Sequence, residues 1–225
     1  MPSDAGGWEP GRRTQGDEAG RRMPKADIGM IRRALELLGA SVAVSELRVP
    51  NTPRGTVSGY FNDLGKMAAN AARMSGTAEG VYLTLNPVSP ALLARASNHL
   101  KDRAKHTTSD GDVVRRCWFL IDFDPVRPAG ISSTEPEHAA ALERARACRD
   151  WLRSEGWPEP LLADSGNGGH LLYRIELVND DQSAALLKFC LIALGIMFSD
   201  STVEVDLSTY NAARIVKVCD ALRGE

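Results

Sequence analysis

Two aspartates interrupt an apolar run near the middle of the chain. In WFLIDFDP, from Trp118 to Pro125, Asp122 and Asp124 are two positions apart. Alternate residues of a β-strand point to the same face, so both carboxylates would lie on one side and Phe123 on the other. Like charges at this spacing repel each other unless a cation such as Mg²⁺ or Mn²⁺ lies between them. The pair indicates either a metal site or an exposed strand end, and the pair alone does not decide between them.

A second pattern is the glycine-rich stretch DSGNGGH, from Asp164 to His170. Its glycines and Asn167 tolerate positive φ angles and let backbone N–H groups approach an anion closely. Alternation along the following strand places His170 on the polar face, where it can donate a hydrogen bond to a phosphate. An ordinary hairpin turn with a surface histidine is the simpler interpretation of this stretch alone.

A third carboxylate, Asp206, ends the short strand VEVDL. The residues that follow, 210–222, predict a helix on which three polar side chains recur at a spacing of three: Asn211, Arg214 and Lys217. A carboxylate followed by two cations suits a metal-bound triphosphate, and a solvated polar helix face is the alternative. Taken together, the three patterns match two-metal nucleotidyl transfer, in which metal ions activate a 3′-hydroxyl and stabilise the leaving pyrophosphate.

The helices and strands predicted around these side chains indicate an α+β fold. Residues 113–225 follow the order strand, helix, strand, strand, helix, strand, which is the split βαβ pattern of RRM-like and ferredoxin-like domains. Helices cover one face of such a sheet, and the other face is free to carry a site. We expect residues 25–112 to form a smaller N-terminal αβ unit, and residues 1–24, rich in Gly, Arg and acids, to be disordered.

Within the N-terminal unit, Asp27 is a candidate cap of a first helix with Ile28, Ile31 and Leu35 on its apolar stripe. The further predicted elements are strands at 44–51 and 80–88, a helix around 66–74, and a helix over 89–105 opened by Ser89 and Pro90.

Composition and charge narrow the class of protein. The chain has 225 residues, 43% hydrophobic and 25% charged, which is typical of a globular protein. Up to Cys117 it carries 17 Lys and Arg against 12 Asp and Glu, and the remainder carries 10 against 17. The first part could therefore offer a basic surface to a polyanion, or its charges are simply scattered and solvated.

The cysteines and the apolar segments point to the cytoplasm. None of the four cysteines belongs to a CxxC pair, so free buried thiols in a reducing compartment are expected and a zinc site is not. The apolar stretch 186–198 is too short to span a bilayer and predicts a buried helix, and no signal peptide is recognised.

With these motifs in order, the sequence resembles the archaeo-eukaryotic primase superfamily, in the primase-polymerase domains of phages, plasmids and other bacterial mobile elements. FLIDFD, DSGNGGH and VEVD are similar to that family's three motifs, and DFDPVRP, TTSDGD, YLTLNPV and NAARIVK add to the likeness, which runs from about residue 57 to 218.

The resemblance implies an RRM-like catalytic core that uses Mg²⁺ or Mn²⁺ to polymerise NTPs or dNTPs on a single-stranded DNA template. It implies replication of a mobile element, or a related repair or defence role, with a separate helicase for unwinding. By position, Asp122, Asp124 and Asp206 would bind the metals. The nucleotide's phosphates would be held by Ser165, Gly166, Asn167, Gly168, His170, Arg214 and Lys217. Weaker candidates for nucleotide or template contacts are Asn86, Arg115, Arg116, Arg127 and Asn211.

Two other interpretations remain open. Relatives in the family continue past NAARIVKV into further structure, so a truncated, non-catalytic domain that binds nucleotide or nucleic acid is the alternative from a different class. A nucleotide-sugar transferase would explain the Asp-x-Asp pair but leaves SGNGGH and NAARIVK without a role. Sugar preference, de novo priming, template motif and oligomeric state are not marked by any residue pattern.

Overall fold

The computed structural model describes residues 27–40, 42–78, 80–128 and 131–218. These residues form an α+β fold of four α-helices and two four-stranded antiparallel sheets, in agreement with the predicted fold class. The elements in chain order are α1 (Ile28–Leu37), β1 (Ser45–Thr52), β2 (Gly55–Phe61), α2 (Leu64–Met74), β3 (Tyr82–Thr84), β4 (Arg115–Pro125), α3 (Glu135–Ser154), β5 (Leu161–Asp164), β6 (Gly169–Val178), α4 (Asp181–Phe198), β7 (Val203–Val205) and β8 (Ile215–Lys217). The disorder expected for residues 1–24 concerns residues outside the described part.

The first sheet has the strand order β2-β1-β3-β8, so its last strand comes from the end of the chain. The helix predicted over 210–222 is therefore wrong for its described part. Ile215–Lys217 pairs with β3 instead, and the N–H of Leu85 donates to the carbonyl of Arg214 at 2.8 Å. β8 thus lies after the expected division between residues 112 and 113 but belongs to the first sheet.

The helix predicted over 89–105 is also wrong beyond its first turn. A 3₁₀ turn covers Pro90–Ala94, and the chain then runs along the edge of β2, a strand that the sequence analysis did not predict. Tyr60 N–H donates to the Ala96 carbonyl at 2.9 Å, and Lys101 N–H donates to the Ser58 carbonyl at 2.9 Å. Because these backbone groups are bonded to β2, they are not available to a helix ladder.

The second sheet has the order β5-β6-β4-β7, with α3 and α4 on one face. The strand–helix–strand–strand–helix–strand order predicted for this half is confirmed. Phe119, Ile121 and Phe123 of β4 point into the helix layer and are at most 1% exposed.

The opposite face of β4 packs against the first sheet near one end and carries the aspartates at the other. Trp118 and Leu120 share a core with Leu83 and Val216 of the first sheet. Asp122 and Asp124 continue this face toward the carboxyl end of β4, where the two sheets leave a cleft. The alternation of β4 thus places the aspartates between the sheets rather than among the helices.

Helix α4 combines a buried stripe with an exposed apolar surface. Leu187, Leu191 and Leu194 pack into the core, whereas Phe189 is 68% and Ile196 80% exposed. In the described part of the chain, α4 is the one helix long and apolar enough to cross a membrane by length and composition, and 22% of it is buried. Cys117 and Cys148 are buried free thiols and Cys190 is partly buried, as predicted; Cys219 lies outside the described residues.

Candidate metal and nucleotide site

Asp122 and His170 are direct partners in the antiparallel β4–β6 ladder. Their side chains meet on the inter-sheet face, with 3.2 Å between His170 Nε2 and Asp122 Oδ1, and both are largely buried. Apart from this ion pair, neither Asp122 Oδ1 nor His170 Nδ1 has a hydrogen-bond partner among the described residues. A buried polar atom without a partner is uncommon in folded proteins, which makes His170 Nδ1 a candidate contact for a ligand.

Asp206 joins the same site because β7 pairs with the end of β4. Its backbone N–H donates to the Asp122 carbonyl at 2.9 Å, directly after β7 ends. Its Oδ1 accepts a 2.7 Å hydrogen bond from the Ser208 N–H, which fixes the carboxylate. The three predicted aspartates therefore come together from two neighbouring strands.

The carboxylates of this cluster repel one another. Burial, and then repulsion from Asp122 and Asp206, raises the pKa of Asp124 to about 6 against the pull of Arg127 and His170. Burial alone would lower the pKa of His170, but the Asp122 and Asp124 carboxylates overcome that effect and raise it above its ordinary value. The cluster holds an excess of negative charge that a cation would relieve.

The donor set fits a hard divalent ion in its chemistry, since Asp122, Asp124 and Asp206 supply three carboxylates. Among the described residues, no group of three or more His, Cys, Asp or Glu side chains is drawn together closely enough to hold a metal ion. The protein's own cations lie against the carboxylates instead: His170 against Asp122, and Arg214 Nη1 3.8 Å from Asp206 Oδ2. Metal binding would therefore exchange these contacts for metal–oxygen bonds.

The glycine-rich turn between β5 and β6 is held by its own side chains. Gly166 N–H donates to Asp164 Oδ1 at 2.7 Å, and the N–H groups of Asn167 and Gly168 donate to Ser165 Oγ at 3.4 and 2.9 Å. Gly166 has a φ of +86°, in the left-handed region. Because these three N–H groups are already bonded within the turn, an anion in the cleft would be met by its charged side chains rather than by these backbone groups.

Gly168 allows the turn to lie directly against β4. A Cβ at this position would be 2.0 Å from the Phe123 carbonyl oxygen and 3.2 Å from Asp124 Oδ1. This close approach of backbone to backbone is possible for glycine alone, and it sets the turn beside the aspartates.

Two residues that the sequence analysis missed brace the turn from outside. His138 of α3 contacts Asp164, with 2.8 Å between His138 Nε2 and Asp164 Oδ1. Ser133 donates to Asn167 Oδ1 from its N–H at 3.2 Å and from its Oγ at 3.4 Å. Both partners lie about thirty residues upstream of the turn, and a sequence pattern gives no signal for such contacts.

Asp122, Asp124 and the turn line a cleft of about 890 Å³ between the two sheets, and Asp206 lines an adjoining pocket that shares Asp124 with it. The cleft also gathers the cations of the predicted site, Arg214 and Lys217, together with Arg127, whose Nε is buried without a partner. Tyr82, Ile131 and Ser132 complete its walls and were not predicted. A cleft that combines two carboxylates with Arg127, Arg214, Lys217 and His170, and that has Asp206 beside it, suits a metal-bound polyphosphate.

The remaining weaker candidates lie outside this cleft. Asn86 is buried, accepts from the N–H groups of Cys117 and Trp118 at 2.7 and 3.2 Å, and donates to the Ala212 carbonyl at 2.9 Å. Arg115 lies on the surface 3.6 Å from Glu176. Both residues thus have structural contacts outside the cleft, and their nucleotide or template contacts stay predictions.

Arg116 and Asn211 support the segment that follows Asp206. Arg116 is 4% exposed and donates from Nη1 to the Tyr210 carbonyl at 2.6 Å. Asn211 Oδ1 accepts from Arg214 Nε at 2.9 Å, which orients the guanidinium toward the cleft.

Comparison of the chain with protein-family models, with curated protein sequences and with solved structures finds no match. The function is therefore argued from the geometry and chemistry of the cleft.

Proposed function

We propose that this chain is a DNA primase-polymerase of the archaeo-eukaryotic primase type, with an RRM-like core formed by β4 to β7, α3 and α4. The observation that carries the proposal is the convergence of Asp122, Asp124 and Asp206 with His170 at one end of the open sheet face. These four residues belong to the three sequence motifs on which the resemblance to the primase superfamily rests.

In this proposal each group of the cleft has a distinct task. Asp122, Asp124 and Asp206 hold the divalent ions, and their mutual repulsion favours cation binding. Two bound Mg²⁺ or Mn²⁺ ions would activate the primer's 3′-hydroxyl and stabilise the leaving pyrophosphate. His170, Arg127, Arg214 and Lys217 orient the triphosphate by charge-assisted hydrogen bonds.

The partners proposed with this activity are a single-stranded DNA template, NTPs or dNTPs, and a separate helicase. The buried free thiols fit a reducing cytoplasm.

The test is synthesis on single-stranded DNA with Mn²⁺ or Mg²⁺, with NTPs and dNTPs supplied separately. We expect labelled product from the wild-type chain and none above background from Asp122→Ala or Asp206→Ala, because each removes a metal ligand. Product that persists in both variants would remove the aspartates from the mechanism.

A non-catalytic binding domain is the second candidate, favoured by the way His170 and Arg214 already neutralise two of the carboxylates. This second candidate predicts that the protein binds nucleotide or template but makes no product with any divalent metal. The same result is expected for a chain extended into any coding sequence downstream.

A further inference from the structure

A cationic segment lies on the first sheet, away from the residues that line the cleft. We define the basic segment as residues 95–106 together with Arg54, which they contact. Its exposed cations are Arg54, Arg95, Lys101, Arg103 and Lys105, with His99 and His106 beside them. Asp102, 3.0 Å from Arg54, is the one acid in residues 95–106, and Asp112 lies 3.9 Å from Arg95. The segment therefore carries a clear excess of positive charge.

This segment contains no helix beyond Arg95, yet its backbone is fixed along β2. Lys101 and Ser58 exchange two hydrogen bonds at 2.9 and 3.0 Å, and Arg103 N–H donates to the Arg54 carbonyl at 3.1 Å. Arg103 has a φ of +52°, a backbone conformation that is unfavourable for residues other than glycine. Unfavourable backbone held in place by its surroundings often marks a functional surface.

A close approach to β2 adds to this rigidity. A Cβ on Gly59 would lie 2.0 Å from the His99 carbonyl oxygen, so the segment sits directly on the strand. The lysines and arginines are thereby displayed from a fixed backbone rather than from a loose loop.

A buried carboxylate anchors the chain just after the end of the segment. Glu46 of β1 is 0% exposed and accepts hydrogen bonds from the Thr108 N–H at 3.0 Å, from Ser58 Oγ at 2.5 Å and from Arg48 at 2.7 Å. Burying a charge is expensive unless it is fully paired; here Arg48 pairs with it within β1, while the bonds from Ser58 and Thr108 tie β1 to β2 and to the chain two residues beyond the segment.

We propose that the basic segment binds the phosphate backbone of single-stranded nucleic acid, with the template strand of the proposed reaction as its occupant. Lysines and arginines spaced along an extended backbone neutralise successive phosphates and release their counterions. Residues 95–106 contain no Phe, Trp or Tyr on which bases could stack, so recognition is electrostatic, tolerant of sequence and sensitive to salt. The term "template" rests on the proposed function; the binding surface does not.

The experiment measures binding of fluorescein-labelled oligo-dT and oligo-rU over a range of salt concentrations. The test variant is Lys101→Ala/Arg103→Ala/Lys105→Ala. The control, Arg33→Ala/Lys66→Ala/Arg73→Ala, removes the same number of exposed cations from α1 and α2. We expect the test variant to bind about tenfold more weakly or worse at about 50 mM salt, and to lose about 2 from the slope of log K against log salt, for either oligonucleotide.

The control should bind like the wild-type chain. Lys101→Glu/Lys105→Glu provides a second variant that leaves Arg103 and its backbone conformation untouched, and it should weaken binding further. If the test variant and the control bind oligonucleotide equally well, whether as tightly as the wild-type chain or more weakly, the proposal is overturned.

Failure of this inference and failure of the proposed function are distinguishable. If the wild-type chain binds oligonucleotide through the basic segment but makes no product, the surface stands and the polymerase proposal fails. If product depends on Asp122 and Asp206 while the test variant binds template normally, the polymerase proposal stands and the surface is wrong.

Discussion

Asp122 and His170 face each other across the β4–β6 ladder, with 3.2 Å between His170 Nε2 and Asp122 Oδ1. The register of the two strands brings the carboxylate of the Asp-x-Asp motif opposite the histidine of the glycine-rich motif. A shift of either strand by one residue would send its own side chain to the helix layer. The ladder thus converts two separate sequence patterns into one site.

His170→Ala should lower kcat/KM for nucleotide incorporation by about a hundredfold, because loss of one preorganised donor to developing charge has an effect of that order. His170→Gln keeps a side-chain donor and should recover part of the loss. Steady-state kinetics with saturating metal would measure both, with thermal melting as the check on folding. Wild-type kinetics in His170→Ala would exclude His170 from the nucleotide site.

Divalent metal should stabilise the protein more at about pH 7.5 than at about pH 5. Asp124 has its pKa raised from 3.8 to about 6, so the folded chain holds this proton more tightly than the unfolded chain does. Its ionisation therefore lowers the stability of the metal-free protein as pH rises from about 4 through about 6. Metal requires the ionised form and relieves the repulsion above that range.

The measurement is the Mn²⁺-induced shift in Tm at the two pH values. Asp124→Asn should reduce both the shift and its pH dependence. A shift of equal size at both pH values in the wild-type chain would contradict the assignment of Asp124 as a ligand.

His138→Ala should raise KM for the nucleotide several-fold with a smaller change in kcat. The imidazole fixes Asp164, which in turn holds Gly166 N–H, so its loss loosens the turn beside the cleft without removing a group that touches the reacting atoms. His138→Gln, which can still reach Asp164, should restore KM in part.

Glu143→Ala is the matched control, since Glu143 is exposed on the same helix, α3, does not line the cleft and should leave nucleotide KM unchanged. A fall in kcat with unchanged KM in His138→Ala would show that the histidine acts in some way other than through the turn.

Gly168→Ala should destabilise the fold by roughly 1–3 kcal/mol, the usual range for forced overpacking. The new Cβ would lie 2.0 Å from the Phe123 carbonyl oxygen, and β4 or the turn must move. Urea denaturation would measure the change. Gly111→Ala, where the added Cβ meets nothing within 4 Å, should be close to neutral; equal stability of the two variants would show that the turn does not rest on β4.

Local patterns were sufficient for the second sheet and its helices. Alternation in β4 and β6 and Gly156 after α3 are signals contained in a few consecutive residues. Alternation places Asp122 and Asp124 on one face of β4 and His170 on the polar side of β6, and the register of the two strands then brings them together.

The failures of prediction have a common physical cause. The segment Ile215–Lys217 has only three residues, two of them apolar, and such a run fits a helix or a strand until its partner is known. Here the partner is β3, more than 130 residues earlier in the chain. The segment after Pro90 has helix-forming residues, but pairing with β2 outweighs their propensity. The bracing of the turn by His138 and Ser133 depends on tertiary contacts of the same kind.

The decisive measurement is nucleotide incorporation on homopolymeric single-stranded templates with Mn²⁺. We expect only adenine nucleotides to be incorporated on poly(dT) and only guanine nucleotides on poly(dC), with both activities lost in Asp122→Ala. Incorporation of the same nucleotide on both templates, or no incorporation on either by a folded wild-type chain that binds metal and nucleotide, would contradict template-directed nucleotidyl transfer at this site.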